Sequence, residues 1–218
     1  TETEPLPTYL VAMAVGPLDV VEHDPIPAND VRDRPLPFRG VAARGQGPRL
    51  AYALERTGAL LAYLESYFGT PYPYDKLDII AVPDFASGAM ENAGAITFPE
   101  DQRRAFAYVM AHELAHQWFG NLVTMPWWDD IWLNEAFATW MGNKTVRHVN
   151  PEYHADVGMV RSVQGAMGAD SLVSARQIRQ PIESNHDIRN AFDSITYRKG
   201  GGVLEMFERW ASGRYAAR

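Results

Sequence analysis

The chain of 218 residues is predicted to fold as a mainly helical α+β domain with a small β-sheet, preceded by strand remnants of an N-terminal β domain. Three observations predict this fold class. The first 48 residues hold eight of the fifteen prolines and only short strand-like pieces. Beyond them, long segments carry apolar residues at helical spacing, and a short apolar run lies between two of these segments. We therefore place the end of a β domain and a linker at 1–48, and one further domain at 49–218.

The individual elements follow from local patterns along the chain. Strand-like pieces lie at 9–15 and 37–42. A helix is predicted over 50–68, because leucines and a phenylalanine recur on one face until a glycine and a proline stop it. The continuous apolar run 77–82, which a proline ends, predicts a strand. The later helices are predicted at 105–119, 130–144, 151–167 and 197–211.

Composition limits the classes of function. The net charge of −7 argues against nucleic acid and anionic membrane surfaces as partners, whereas it is compatible with a site that receives cationic peptide N-termini. The hydrophobic content of 46% is ordinary for a globular domain, and no apolar run is long enough to span a membrane. Because the chain has no cysteine and no visible signal peptide, we favour a cytoplasmic location.

The stretch 112–135 supplies the ligand types of a catalytic zinc site. His112 and His116 are four residues apart, so both imidazoles project from one face of a helix. Together with Glu135 they fill three corners of a tetrahedron and leave the fourth for water. Glu113 is turned about 100° around the helix from His112, which suits a base that reaches the water better than a ligand that reaches the metal. The pattern predicts a zinc hydrolase with one Zn²⁺ per chain.

Two surface histidines that hold no metal are the alternative explanation. A chain of this composition contains His-Glu-x-x-His by chance in roughly one case in a hundred. The context favours the metal site, because residues 105–119 contain no glycine or proline and carry apolar residues on adjacent helical turns. The segment 130–144, which carries Glu135, also has the pattern of a helix.

A second motif, at 88–92, reads Gly-Ala-Met-Glu-Asn. The small residues within it and before it let another backbone approach closely, so an extended peptide could pair with this segment as an added strand. Glu91 would then anchor the terminal ammonium group of that peptide. From these residues alone, a glycine turn with a solvated glutamate is the better interpretation.

Together the two motifs resemble the signatures of the M1 family of zinc aminopeptidases, the aminopeptidase N type of gluzincin. The motif at 88–92 is similar to the family's exopeptidase signature. His-Glu-Leu-Ala-His-Gln-Trp at 112–118, followed by Trp-Leu-Asn-Glu-Ala-Phe-Ala at 132–138, is similar to its zinc signature. Ala89 favours a general aminopeptidase over the related branch that usually has glycine there. The resemblance extends from about residue 9 to about residue 210 and implies a thermolysin-like metallopeptidase catalytic domain.

The resemblance implies a role for each residue of these motifs. His112, His116 and Glu135 would bind the zinc ion, and Glu113 would be the general base. A tyrosine in a Tyr-x-Lys-Gly context is also typical of the family, and its phenol would donate a hydrogen bond to the oxyanion of the reaction. In this chain that tyrosine is Tyr197. Five further residues would contact the substrate: Glu91 at the free α-amino group, Gly88 and Ala89 along the backbone, and Met90 and Asn92 beside them.

The resemblance also implies that flanking domains are missing from the chain. Family members have an N-terminal β domain before this region and a helical domain after it, and both contribute to the substrate site. We therefore expect the isolated, C-terminally truncated chain to bind zinc but to hydrolyse peptides with a free N-terminus weakly or not at all. Two other functions stay open: a zinc endopeptidase of the same fold, and a non-catalytic peptide-binding domain.

One interval departs from the family pattern. Glu91 and His112 are 21 positions apart, about a dozen fewer than is typical of the family. Either the protein has a true deletion, or residues are missing from the sequence between 98 and 99. We favour missing residues, because 99–102 has the pattern of a fresh helix start.

Asp129 and Asp130 precede the helix that carries the third ligand. Ligating histidines usually donate their second ring N–H to a carboxylate or a carbonyl, which would give these aspartates a role beside the metal. The alternative, equally compatible with the sequence, is that they cap the helix that begins near Ile131.

Overall fold

The computed structural model describes residues 3–100 and 105–216, with side chains as far as residue 213. The chain divides into two compact units, Thr1–Val123 and Thr124–Arg218. Within the described residues, six α-helices and a four-stranded sheet confirm the predicted mixed α+β class. The predicted domain boundary between residues 48 and 49 stays a prediction.

The first unit contains a β-sheet whose spatial order follows the chain: β1 (Leu18–Ile26), β2 (Leu36–Ala43), β3 (Leu77–Val82) and β4 (Ala95–Pro99). β1 is antiparallel to β2, whereas β2, β3 and β4 are parallel. β3 has no polar alternation because both of its neighbours are parallel strands and its first four residues are buried. Beyond β4, Met90 and Thr97 exchange both backbone hydrogen bonds, at 2.9 and 3.1 Å. The segment that precedes Glu91 therefore approaches β4 in antiparallel orientation.

Two helices complete the first unit, α1 (Ala51–Phe68) and α2 (Phe106–His116). α1 ends at Gly69, which takes the left-handed conformation and donates its N–H to the carbonyl of Glu65 at 2.9 Å. The buried faces consist of Leu54, Leu60, Leu61 and Leu64 in α1 and of Phe106, Met110 and Leu114 in α2. The predictions for 50–68 and 77–82 are thus confirmed to within one residue.

The predicted strand at 9–15 is wrong. Thr8–Leu10 forms a 3₁₀ turn, and the residues after it make no strand. Leu10 is buried, but Val11, Met13 and Val15 are exposed. The apolar residues alternate as in a strand, yet this segment pairs with no strand among the described residues. The prediction at 37–42 is confirmed within β2, whereas β1 was not predicted.

The second unit contains four helices within the described residues: α3 (Ile131–Val149), α4 (Ala155–Asp170), α5 (Asn185–Asn190) and α6 (Gly200–Ala216). A π-helical segment, Ile195–Lys199, leads into α6. Glycine at the start of α6 lets it pack closely on α3, because a Cβ at Gly200 would lie 2.6 Å from the Cβ of Ala136. The predicted helix at 151–167 begins four residues late, because His154 adopts a left-handed conformation, with φ of 50°.

The predicted helix start at 99–102 is only partly covered by the structure. β4 ends at Pro99, and residues 101–104 lie outside the described residues. In the rest of the chain, residues 3–100 and 105–216, no helix combines the length and the apolarity that crossing a bilayer requires.

Candidate functional site

The two histidines of the metal motif lie at the C-terminal end of α2, one helical turn apart. The Nε2 atoms of His112 and His116 are 3.0 Å from each other. The Nδ1 atom of His116 lies 3.0 Å from the carbonyl oxygen of Phe119. Because a carbonyl only accepts, this nitrogen carries the hydrogen, and Nε2 of the neutral ring keeps its lone pair. A ligating histidine is typically held in this way by a carbonyl or a carboxylate.

The geometry of the histidine pair fits two ligands of one zinc ion. Zinc–nitrogen distances of about 2.0–2.1 Å in a tetrahedral site place two ligating nitrogens about 3.3 Å apart. The observed separation of 3.0 Å is close to that value. His116 is buried and His112 is half-buried. The donor set of two imidazoles is also the type that zinc prefers in proteins.

Two carboxylates lie beside His116 in the first unit. Glu91, Glu113 and His116 can each direct one ligand atom into a cluster in which all these atoms are within 4.8 Å of one another. Their exposed fractions are 6%, 4% and 1%. Two buried carboxylates in such proximity repel each other unless a positive charge lies between or beside them. The cluster is therefore suited to a cationic ligand, either a metal ion or an ammonium group.

The backbone of Glu91 is held by two side-chain amides from the turn that follows α2. Gln117 and Asn121 both donate to the Glu91 carbonyl, at 3.1 and 2.9 Å. Gln117 also donates to the carbonyl of Glu113 at 3.1 Å and accepts from the N–H of Gly94 at 3.1 Å. Neither amide is solvent-exposed. The segment at 88–92 is thus held against the end of α2 by neutral amide groups.

A buried tyrosine lies behind this contact. Burial raises the pKa of Tyr74 to about 12, and a hydrogen bond with Asn121 works in the opposite direction. Tyr74 therefore stays neutral across the physiological range and adds no negative charge beside Glu91.

The other residues of the motif at 88–92 are placed differently. Gly88 is exposed, and Ala89 and Met90 are half-buried. Asn92 is buried: its Nδ2 donates to the carbonyl of Leu10, and its Oδ1 accepts from Thr97 at 2.8 Å. The amide of Asn92 thus holds the segment in place. Contact between these residues and a substrate stays a prediction.

Two predicted site residues belong to the second unit. Glu135 is buried in the second turn of α3. Tyr197 is half-buried in the π-helical segment, where its N–H donates to the carbonyl of Asp193 at 3.2 Å. π-helical turns are rare and occur frequently at functional sites. Their roles as metal ligand and oxyanion donor stay predictions.

An arginine-centred network supports the π-helical segment. Arg176 binds both carboxylate oxygens of Asp193, at 3.0 and 2.6 Å. It also donates to the hydroxyl of Thr196 at 2.7 Å. Asp193 in turn accepts from the backbone N–H groups of Ile195 and Thr196. The residue directly before Tyr197 is therefore fixed through its backbone and its side chain.

Asp129 and Asp130 bind the irregular segment before α5. Asp129 accepts from the N–H of Ile182 at 2.8 Å, and Asp130 forms an ion pair with Arg179 at 2.7 Å. No side-chain capping bond to α3 is made from Asp130, which occupies the N-cap position. The capping interpretation is thus wrong for Asp130, and both carboxylates are used to hold residues 179–182.

The sequence did not predict a role for Gln117, Asn121 or Arg176. A signal existed for the first two, because they are amides four residues apart directly after the metal motif. Their partner, the carbonyl of Glu91, lies 26 and 30 residues earlier in the chain, so only the folded structure reveals the contact. Arg176 gave no local signal.

Comparison with known proteins adds an independent observation. Residues 52–215 match the sequence profile described as the Peptidase family M1 domain. The chain is 37% identical to "Probable aminopeptidase 1" of Saccharolobus solfataricus, and 38% identical to "Aminopeptidase M1-A" of Oryza sativa subsp. japonica. It is also 38% identical to "Aminopeptidase 2, mitochondrial" of Saccharomyces cerevisiae.

These similarities cover nearly all of the chain but a minor part of each relative. They include 96%, 96% and 95% of the chain, and 27%, 24% and 22% of the three relatives, respectively. The chain thus spans about a quarter of the length of the curated relatives it matches. Each alignment runs over 221 positions, more than the 218 residues of the chain, so the relatives carry residues in this region that the chain lacks.

Proposed function

The chain belongs to peptidase family M1, and on that premise we propose that it is the zinc-dependent, thermolysin-like catalytic part of an aminopeptidase. The reaction would be removal of the N-terminal residue from peptides with a free N-terminus. The observation that carries the proposal is the buried cluster of Glu91, Glu113 and His116, with its requirement for positive charge. The printed names of the relatives, all aminopeptidases, support the same activity.

The metal would be held by His112, His116 and Glu135. The convergence of the two Nε2 atoms and the carbonyl partner of His116 support the first two assignments. Glu135 is assigned from the spacing of the motif and from the resemblance to the family. When bound, zinc lowers the pKa of a bound water to near 7 and polarises the scissile carbonyl.

Glu113 would serve as the general base. Its carboxylate belongs to the same cluster as His116, and because Glu113 directly follows His112, its side chain leaves α2 about 100° around the helix from that histidine. It would take a proton from the attacking water and return that proton to the leaving amine. A base in this position contributes on the order of 10²–10⁴ in rate.

Glu91 would anchor the ammonium group of the substrate. It lies within 4.8 Å of the Glu113 ligand atom, so the anchor and the base are separated by roughly the length of one aminoacyl unit. A peptide held by its ammonium group at Glu91 would then present its first peptide bond to Glu113. Exopeptidase specificity follows from this fixed spacing.

The backbone at 88–90 would border the substrate chain. Met90 already pairs with Thr97 of β4 in an isolated antiparallel bridge, and a substrate strand would be added beside this point of pairing. Gly88 has open space around it, because a Cβ there would meet nothing within 4 Å. Tyr197 would donate its phenolic hydrogen to the oxyanion that forms as water adds to the carbonyl.

The test uses the full-length protein with matched peptides that have free or acetylated N-termini. We expect cleavage of the free peptide only, one zinc per chain by mass spectrometry, and loss of zinc in His116→Ala. Glu113→Gln should retain zinc and lose about 10²–10⁴ of the rate. Equal cleavage of both peptides would favour the endopeptidase, and a zinc-bound protein that binds peptides without cleaving them would favour the binding domain.

A further inference from the structure

We propose that Gln117 is a positioning residue that fixes the separation between the amine anchor, Glu91, and the base, Glu113. This inference rests on the proposed function and deepens it: Gln117 would determine that cleavage occurs after the first residue. Its side chain does not reach the substrate in this role and acts only through the backbone of the two glutamates.

The contacts of Gln117 link both functional segments through one side chain. Its Nε2 group has two hydrogens, and they are donated to the carbonyls of Glu91 and Glu113, each at 3.1 Å. Its Oε1 atom accepts from the N–H of Gly94 at 3.1 Å. Gln117 is fully buried, with 0% exposure. No other group in the described residues is hydrogen-bonded to the backbones of both glutamates.

Asn121 supports the same contact from the next turn. It donates to the Glu91 carbonyl at 2.9 Å, so both lone pairs of that oxygen are used by side-chain amides. Its own N–H donates to the carbonyl of His116 at 3.0 Å. Two independent hydrogen bonds therefore fix the position of Glu91 relative to the end of α2.

The conformation of Gly94 completes the arrangement. Its φ of +64° is in the left-handed region, and a Cβ there would lie 3.1 Å from the carbonyl oxygen of Lys76. Glycine at this position therefore allows the backbone turn from which the Gly94 N–H is donated to Gln117. Gln117 therefore binds one segment at two points, Glu91 and Gly94, three residues apart.

The spacing of the two glutamates matters because the proposed reaction needs a fixed distance between the amine anchor and the base. The ammonium group is held at one carboxylate while the proton is moved at the other. A displacement of about 1 Å between such groups can reduce rates by about 10²-fold. Loss of the Gln117 amide would let the segment at 88–94 shift relative to α2 and would weaken recognition of the amine specifically.

The variants separate the donor and acceptor parts of the amide. Gln117→Met keeps a side chain of similar length but removes all three bonds. Gln117→Glu keeps an acceptor for Gly94 but sets a carboxylate oxygen against two carbonyls. Gln177→Met, at an exposed glutamine in the second unit, is the matched control.

The readout is a comparison of two inhibitors on the full-length protein, an amino-acid hydroxamate and its des-amino analogue. The wild type should prefer the amine-bearing compound. In Gln117→Met this preference should fall about tenfold and KM for free-amine peptides should rise about tenfold, because the anchor is displaced while the metal is not. Gln117→Glu should lose at least as much, and zinc content should stay at one per chain in both variants.

The outcomes are distinguishable. A wild type without any preference for the amine would refute the proposed function itself. A wild type that prefers the amine, with Gln117 variants that keep the full preference or lose both inhibitors equally, would refute only the positioning role. If these variants do not fold, Gln117→Asn keeps the amide but shortens the side chain by one methylene, so it cannot make all three Gln117 contacts; unchanged amine preference in that variant would also overturn the inference.

Discussion

The ion pair between Arg32 and Glu65 is a deeply buried charged contact of the first unit. The side chains of Arg32 and Glu65 are 2% and 0% exposed, and their Nε and Oε1 atoms are 2.8 Å apart. The Glu65 carboxylate also accepts from the side-chain amide of Asn29 at 2.6 Å and from the N–H of Tyr72 at 3.0 Å. We predict that Glu65→Ala destabilises the protein strongly.

The magnitude follows from what the substitution leaves behind. Removing one partner of a buried pair costs about 3–5 kcal/mol, because the other charge stays buried without compensation. In Glu65→Ala the Asn29 amide and the Tyr72 N–H also lose their acceptor, so the upper part of that range is expected. The double variant Arg32→Met/Glu65→Leu removes both charges and should be more stable than Glu65→Ala, since no uncompensated charge remains.

The assay is urea unfolding followed by tryptophan fluorescence. Trp118 is a suitable reporter because its ring lies 6.0 Å from that of Tyr72 in the same unit. Glu55→Ala, at an exposed glutamate on α1, is the matched control and should change the free energy of unfolding by less than about 0.5 kcal/mol. A loss below about 1 kcal/mol in Glu65→Ala, or a double variant less stable than the single one, would refute the reasoning.

Two further predictions concern a titrating carboxylate and the tyrosine support. Burial tends to raise the pKa of Asp78, but hydrogen bonds from Arg39 and Lys76 outweigh burial and lower it. The stabilising effect of the Asp78 carboxylate should be complete above the unfolded pKa of about 3.9 and be lost as pH falls through the lower folded pKa. In Asp78→Asn, the free energy of unfolding measured in urea should therefore depend less on pH between about pH 2 and 5. Arg176→Met should lower kcat in the full-length protein through displacement of Tyr197, with zinc content and KM unchanged, as steady-state kinetics and mass spectrometry would show.

The elements that the sequence predicts well are those with a local cause. α1 has one apolar face and a glycine at its end, and β3 is a continuous apolar run, so both bounds were right to within one residue. β1 was missed because three consecutive polar residues, 22–24, interrupt its apolar pattern and Pro25 follows them, where the register with β2 shifts. An edge strand with one exposed face forms because it pairs with a neighbouring strand. The local sequence pattern does not reveal that neighbour.

In the candidate site, too, features with a local cause were predicted and features that depend on distant contacts were not. The pairing of His112 and His116 depends only on helical geometry, so the motif predicts it directly. The proximity of Glu91 to Glu113 depends on contacts across 26 or more residues that involve two amides without any motif of their own. The resemblance to the family supplied the roles, whereas the physical means of holding Glu91 came from the structure alone.

Two buried glutamates of the first unit contrast a carboxylate that is neutralised within the protein with one that we propose binds a cation. Glu65 is held through its carboxylate, and Arg32 neutralises it, so it has no affinity left for a ligand. Glu91 is held through its backbone carbonyl by neutral amides, and no lysine or arginine among the described residues forms an ion pair with its carboxylate. A cationic side chain in the place of Gln117 would compete with the substrate's ammonium group for the same charge. Neutral amides on the backbone therefore hold Glu91 in place without neutralising its carboxylate, as the cation-binding role that we propose for it requires.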